Sequence, residues 1–145
     1  MTTFADSSAL VKLYIDEGGH EQVRGLHPLL ASELTRVEVP AALWRKHRMG
    51  VITPAQASVL VAAFEADYHG TVDQPSRFVA VAATGGVLDS AARLCAVHGL
   101  RAYDAVQLAT AKAAAAVFSE CRAFAAYDEA LRTAAAAEGF MLVPA

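Results

Sequence analysis

Four acidic residues in this sequence stand where a carboxylate could do chemistry: Asp6, Glu38, Asp104 and Asp128. They lie far apart along the chain, and each sits among apolar or small residues, as in Phe4-Ala5-Asp6-Ser7-Ser8, Val37-Glu38-Val39 and Tyr103-Asp104-Ala105. Taken singly, each has an ordinary structural explanation. Asp6 and Asp128 suit helix N-caps, and Asp104 suits the first turn of a helix, where the dipole favours an acid. Glu38 is harder to explain away, because glutamate is rarely buried without a cationic partner. Taken as a group they say more. Two carboxylates about 4 Å apart repel by roughly 4 kcal/mol at an effective dielectric of 20, so four converging acids need a counter-cation to stay ionised. Oxygen-only ligands select a hard divalent ion, Mg²⁺ or Mn²⁺. Such an ion can activate water and neutralise charge on a phosphodiester.

Other site chemistries find little support. Cys95 and Cys121 show no CxxC spacing, which argues against a disulfide framework or a thiolate zinc site and for two buried thiols in a reducing cytosol. The histidines His20, His27, His47, His69 and His98 form no metal-ligand pattern. The net charge of −3 and pI near 5.9 give no bulk attraction for a polyanion, so any nucleic-acid contact must be local. One local basic cluster exists, Arg45-Lys46-His47-Arg48, with Arg36 upstream. It fits an RNA-contacting edge, and it equally fits a solvated helix end.

The elements that must position these residues can be read from periodicity and breakers. Thr2–Ala5 is β-prone, and Asp6-Ser7-Ser8 then starts a helix that runs through Tyr14 towards Gly18-Gly19 as its C-cap. A short helix covers Glu21–Leu26, and Leu30-Ala31 forms a brief strand. Ser32 caps a helix over Glu33–His47, with Pro40 either near its start or kinking it. Thr53-Pro54 opens a helix to Tyr68. A strand over Arg77–Ala82 leads through Thr84-Gly85-Gly86 into a helix over Val87–Val97. The alanine-rich stretch Ala102–Phe118 is the longest helix, Cys121–Ala126 a buried strand, Glu129–Ala137 a helix led by Asp128, and Met141–Val143 a last strand. Strands alternating with helices indicate an α/β fold with a mainly parallel sheet. In such sheets ligands bind at the carboxyl ends of the strands, where Asp6 and Asp128 fall. With 145 residues and 15.2 kDa, the chain fits one domain. A content of 55% hydrophobic and 19% charged residues argues against disorder. No apolar run reaches membrane-spanning length and the N-terminus lacks a basic leader, so a mature cytoplasmic protein with no membrane partner is expected.

Four segments, DSSALVKLY at Asp6–Tyr14, SELTRVEVPAALWR at Ser32–Arg45, HGLRAYDAVQLATA at His98–Ala111 and FAAYDEALRTAA at Phe124–Ala135, together resemble a PIN-domain protein. More narrowly they are similar to VapC-type ribonuclease toxins of type II toxin–antitoxin pairs. The resemblance spans almost the whole chain, in order and at the family's spacing. It implies a three-layer α/β/α domain over residues 1–145 and an acidic pocket holding one or two Mg²⁺ or Mn²⁺ ions. Asp6, Glu38 and Asp104 would be the core metal ligands, with Asp128 acting through the second ion or through water. Ser7 and Ser8 would orient Asp6 or a water. The implied reaction is hydrolysis of RNA by activated water, with no covalent enzyme intermediate. The resemblance further implies a homodimer and a cognate antitoxin that places a basic side chain among the acids. Arg45, Lys46 and Arg48 are assigned to the RNA groove, with Lys12 as a further candidate near the scissile phosphate or else a surface or salt-bridging lysine. One departure stands out: where the family often has Thr or Ser two residues before the fourth acid, this chain has Ala126, which removes a hydroxyl that could orient Asp128.

Two alternatives compete. A receiver-type signalling module would also use Mg²⁺ and an aspartate, but it wants paired acids after the first strand and a lysine after the last. Here two serines follow Asp6, and the chain reads MLVPA at its end. A catalytically inactive PIN-like module that binds RNA or protein is the second, against which the four retained acids argue.

Overall fold

The computed structural model describes residues 1–145. Its sheet is built from β1 (Thr2–Ala5), β2 (Leu29–Ser32), β3 (Val79–Val81), β4 (Cys121–Ala125) and β5 (Met141–Val143). All neighbouring strands pair in parallel, in the order β3-β2-β1-β4-β5, so the sheet is wholly rather than mainly parallel. The chain steps outward from β1 to β3 and then returns to the other side of β1 with β4. Its topological switch point therefore lies between β1 and β4, where α/β folds place their ligands.

Alternation along the strands feeds two cores, as a sheet covered on both faces requires. Phe4, Leu30 and Phe124 point to one face, where they pack with α5 (Gly85–His98), α6 (Ala102–Val117) and α7 (Glu129–Ala137). The Phe4 and Phe124 rings stack across neighbouring strands with centroids 5.6 Å apart, each fully buried. Ala5, Leu29, Ala31 and Ala125 point to the other face, against α1 (Ser7–Leu10), α2 (His20–Arg24), α3 (Thr35–Arg48) and α4 (Pro54–His69). The result is the expected three-layer α/β/α arrangement.

Several boundaries differ from those expected of the sequence. Helix α1 is a single turn that tightens into a 3₁₀ turn at Val11–Leu13 instead of running to the glycines. Leu10, Val11, Leu13 and Ile15 are all buried; on one regular helix they would spread over more than half its circumference, and the tighter winding draws them inward. Gly19 does not cap that helix but sits at the N-terminus of α2 with φ of 89°. A Cβ there would collide with the Tyr127 ring, so the position needs glycine for space as well as for conformation. Ser32 ends β2 rather than capping α3: its hydroxyl accepts from the Leu34 amide and its carbonyl from the Thr35 hydroxyl, and the helix begins at Thr35. Pro40 lies inside α3; the carbonyl it deprives belongs to exposed Arg36, where water can take the bond. Strand β3 is shorter than expected. Helix α5 starts at Gly85, because Thr84 caps it through the Val87 amide. Cys121 is buried as expected, whereas Cys95 is only partly so. No helix is long and apolar enough to cross a membrane.

Candidate active site

Asp6 leaves the end of β1 with its amide hydrogen-bonded to the Ala125 carbonyl of β4 at 3.1 Å. Its side chain caps α1: Oδ1 accepts from the Ala9 amide at 3.0 Å and from the Ser8 hydroxyl at 2.7 Å. The Ser8 oxygen in turn accepts from the Tyr127 amide at 3.0 Å. One hydroxyl thus ties the β1–α1 turn to the β4–α7 turn. It also holds Asp6 Oδ1, whereas the Ser7 hydroxyl has Gln107 as its neighbour at 3.4 Å instead of Asp6.

The other acids approach from three more helix N-termini. Glu38 lies in the first turns of α3, Asp104 in the first turn of α6, and Asp128 caps α7 through the Leu131 amide at 3.0 Å. The positive ends of four helix dipoles therefore face the same region and partly offset its negative charge. A cleft of about 730 Å³ is lined by all four acids, by Ser7 and Ser8, and by Arg45, Lys46, Arg48 and Arg101. The fold thus brings together the four carboxylates singled out in the sequence, along with three of the four candidate cations.

Burial and mutual repulsion strain these acids. Asp6 is 4% exposed, and its carboxyl is pushed up to about 7, chiefly by desolvation. The Ser8 and Ala9 hydrogen bonds pull the other way, and the charges of Glu38 and Asp104 add to the rise. Desolvation raises Glu38 as well, against hydrogen bonds from Gln107 and Ser7 and with help from the Asp104 charge. Asp104 is raised by desolvation and then by Asp128, with Arg101 opposing. Three carboxylates are thus less acidic than usual in the absence of a positive charge, which is the deficit a cation relieves.

No three acids close into a ready-made cage for an ion. The arrangement is open, and it suits an ion that keeps several waters and takes one or two carboxylates directly, as Mg²⁺ does. Neither histidine nor cysteine lines the cleft, and all its anionic donors are carboxylate oxygens. The residues present therefore fit a hard divalent ion.

The basic residues divide. Arg45 and Arg48 line the cleft without a carboxylate partner, whereas Lys46 is paired with Glu17 at 2.8 Å. The cluster forms the last turn of α3, so it also complements that helix's dipole. Lys12 is not in the cleft. It is buried rather than at the surface, salt-bridged to Glu17 at 3.0 Å and 4.2 Å above the centre of the Tyr127 ring. Arg36 lies over Tyr68, outside the cleft. Ala126 is fully buried and supplies its carbonyl to Arg132 at 3.0 Å; with no hydroxyl beside it, Asp128 is held by its cap and by a cation 3.6 Å away.

Two site residues escaped the sequence reading. Arg101 reaches over the outer pair of acids, 3.5 Å from Asp104 and 3.6 Å from Asp128, with its side chain 82% exposed. Gln107, 1% exposed, donates to Glu38 Oε1 at 2.6 Å and lies 3.4 Å from the Ser7 hydroxyl. Both carried a signal: each is three residues from Asp104 on one helical face, and Gln107 is a polar residue within the otherwise apolar run Ala105–Ala109.

Comparison with known proteins gives concordant findings. A family model described as PIN domain matches residues 3–137. Among curated proteins none shows a significant match. Among solved structures, PAE2754 from Pyrobaculum aerophilum superposes with a TM-score of 0.65 at 24% identity, covering 99% of this chain and 85% of that one. A toxin–antitoxin complex from Klebsiella pneumoniae superposes with a TM-score of 0.57 at 16% identity, covering 87% of this chain and 86% of that one. At these identities the two structures share the fold.

Proposed function

The chain belongs to the PIN-domain family, and from that membership we propose that it is a Mg²⁺- or Mn²⁺-dependent endoribonuclease, the toxin of a VapBC-type toxin–antitoxin pair. Domains of this family are generally nucleases that use divalent ions. The observation that carries the reading is the convergence of Asp6, Glu38, Asp104 and Asp128, from four separate segments, on one cleft rimmed by Arg45 and Arg48.

Asp6, Glu38 and Asp104 would hold the ion, with Asp128 engaging a second ion or a water. One or two bound ions would supply activation of water and neutralisation of charge on the phosphodiester. The protein's own residues do the rest. Ser8 and the Ala9 amide hold Asp6 Oδ1, leaving its second oxygen for the ion. The helix N-termini offset part of the repulsion among the acids gathered there. Arg45, Lys46 and Arg48 draw the RNA backbone along the cleft edge, each as a local cation on an otherwise acidic molecule. Arg101, exposed and loosely paired with Asp104 and Asp128, would be free to reach a phosphate oxygen were those acids to hold an ion.

The Klebsiella pneumoniae neighbour is a toxin–antitoxin complex, which supports an antitoxin partner for this chain, inserting a basic side chain among the same acids. A homodimer acting in the cytoplasm, each subunit a single PIN domain, completes the proposal. The test is cleavage of a labelled structured RNA by metal-stripped protein, titrated with Mg²⁺ and Mn²⁺. Asp6→Asn and Asp104→Asn should each abolish the metal-dependent cleavage while leaving the fold intact. Wild-type rates in either variant would refute the mechanism, and RNA binding without cleavage by the wild type would favour the inactive module.

A further inference from the structure

The amide of Gln107 is an anomaly in an otherwise satisfied interior. The side chain comes from the second turn of α6, is 1% exposed, and spends its NH₂ group on Glu38 of α3 at 2.6 Å and, more distantly, on the Ser7 hydroxyl at 3.4 Å. Its carbonyl oxygen, Oε1, is the one buried side-chain polar atom with no partner. Leaving such an atom unpaired costs about 1–3 kcal/mol, and an apolar residue of similar volume would avoid that. Packing therefore does not explain a glutamine here. Neither does amide orientation, since turning the group over would set a carbonyl oxygen 2.6 Å from the Glu38 carboxylate. What the glutamine achieves is to hold one particular carboxylate oxygen by a neutral, buried donor.

We propose that Gln107 is the positioning residue for Glu38: it fixes Glu38 Oε1 from behind and so presents the remaining oxygen to a divalent ion in the cleft. A neutral donor suits this task better than a cation. Arginine or lysine at the same place would hold Glu38 equally well and also cancel the charge that attracts the ion. The tie also couples α6 to α3, so that Glu38 and Asp104 are set relative to each other by one side chain. Partners of this kind typically contribute about 10–100-fold to metal affinity.

The proposal rests on the nuclease reading, and its test separates the two. Calorimetric Mn²⁺ titration of metal-stripped protein is compared for wild type, Asp6→Asn and Gln107→Met. Methionine keeps the volume and removes both the donor and the orphaned acceptor. The expected result is Mn²⁺ binding weakened about 10–100-fold in a variant whose melting temperature is equal to or above that of the wild type. A residue with a merely structural role would do the reverse, lowering the melting temperature and leaving ion affinity unchanged, and that outcome overturns the proposal. Should Gln107→Met fail to fold, the wild-type side-chain amide resonances decide. They should shift when Mg²⁺ is added to ¹⁵N-labelled protein, and resonances that stay in place would overturn it. A wild type that binds no Mn²⁺ sinks the nuclease reading and this inference with it, whereas tight binding shared by wild type and Gln107→Met sinks the inference alone.

Discussion

Replacing Asp6 by asparagine should stabilise the metal-free protein at neutral and alkaline pH while destroying its response to Mg²⁺. The reasoning follows from where the proton sits. In the unfolded chain Asp6 loses its proton near 3.8, but in the folded protein burial holds it until about 7. Between those values the native state binds a proton that the unfolded state does not, so the contribution of Asp6 to stability is greatest at acid pH and declines as pH rises towards 7. A difference of about three pK units corresponds to roughly 4 kcal/mol, which is a ceiling because water entering the open cleft relaxes the ionised form. Asparagine retains an oxygen for the Ser8 and Ala9 bonds and carries no charge to bury. At pH 8 the variant should therefore exceed the wild type by roughly 2 kcal/mol or more, about 4–8 °C in melting temperature, and at pH 4 the advantage should vanish. Adding Mg²⁺ should reverse the order at pH 8, because the ion stabilises only the protein that can bind it. Thermal or urea unfolding across this pH range, with EDTA and then with Mg²⁺, measures all of it. A wild type whose stability is flat between pH 4 and 8, or an asparagine variant no more stable than wild type at pH 8 without metal, would show that Asp6 is not held protonated by its surroundings.

The remaining expectations concern the neighbours. Neutralising Arg45, Lys46 and Arg48 to glutamine should weaken RNA binding and reduce its salt dependence, by about 0.7 in the logarithmic slope for each single-strand phosphate that is no longer neutralised; an unchanged slope would remove them from the RNA path. Ser8→Ala should destabilise the fold by about 1–3 kcal/mol, since it strips a donor from Asp6 and strands the Tyr127 amide. The same variant should weaken Mg²⁺ binding at pH 7, because without that bond Asp6 keeps its proton more firmly; equal affinity would count against the positioning role. Lys12→Met should lower stability in urea by depriving Glu17 of its buried cation and leave the salt dependence of RNA binding untouched. A changed slope there would return Lys12 to the groove.

The acids were legible in the sequence because each occupied a recognisable place: after a strand, or early in a helix, and flanked by apolar residues. That local context follows from the architecture, in which every β–α turn discharges at the same edge of a parallel sheet. The strands and long helices were legible for a similar reason, since the burial of Phe4, Phe124 and the alanine face of α6 leaves a periodic trace. What could not be read were features decided by partners distant in sequence. The shortening of α1 depends on four apolar side chains finding one core, and Gly19 is dictated by Tyr127, a residue more than a hundred positions away. Lys12 looked exposed on a helix of ordinary length but is drawn inward by Glu17 and Tyr127. Gln107 and Arg101 were passed over because neither is acidic, although their spacing from Asp104 placed them beside it.

Strand β4 is threaded between β1 and β5 although more than a hundred residues separate it from β1. Until it arrives, β1 has an open edge, the Asp6 amide lacks its Ala125 acceptor, and Asp128 has no place to stand. The cleft that gathers the four acids is therefore incomplete until β4 has filled the sheet. Fragments ending before Cys121 should be inert in the cleavage assay, and one that cuts RNA would show that the first three acids suffice on their own.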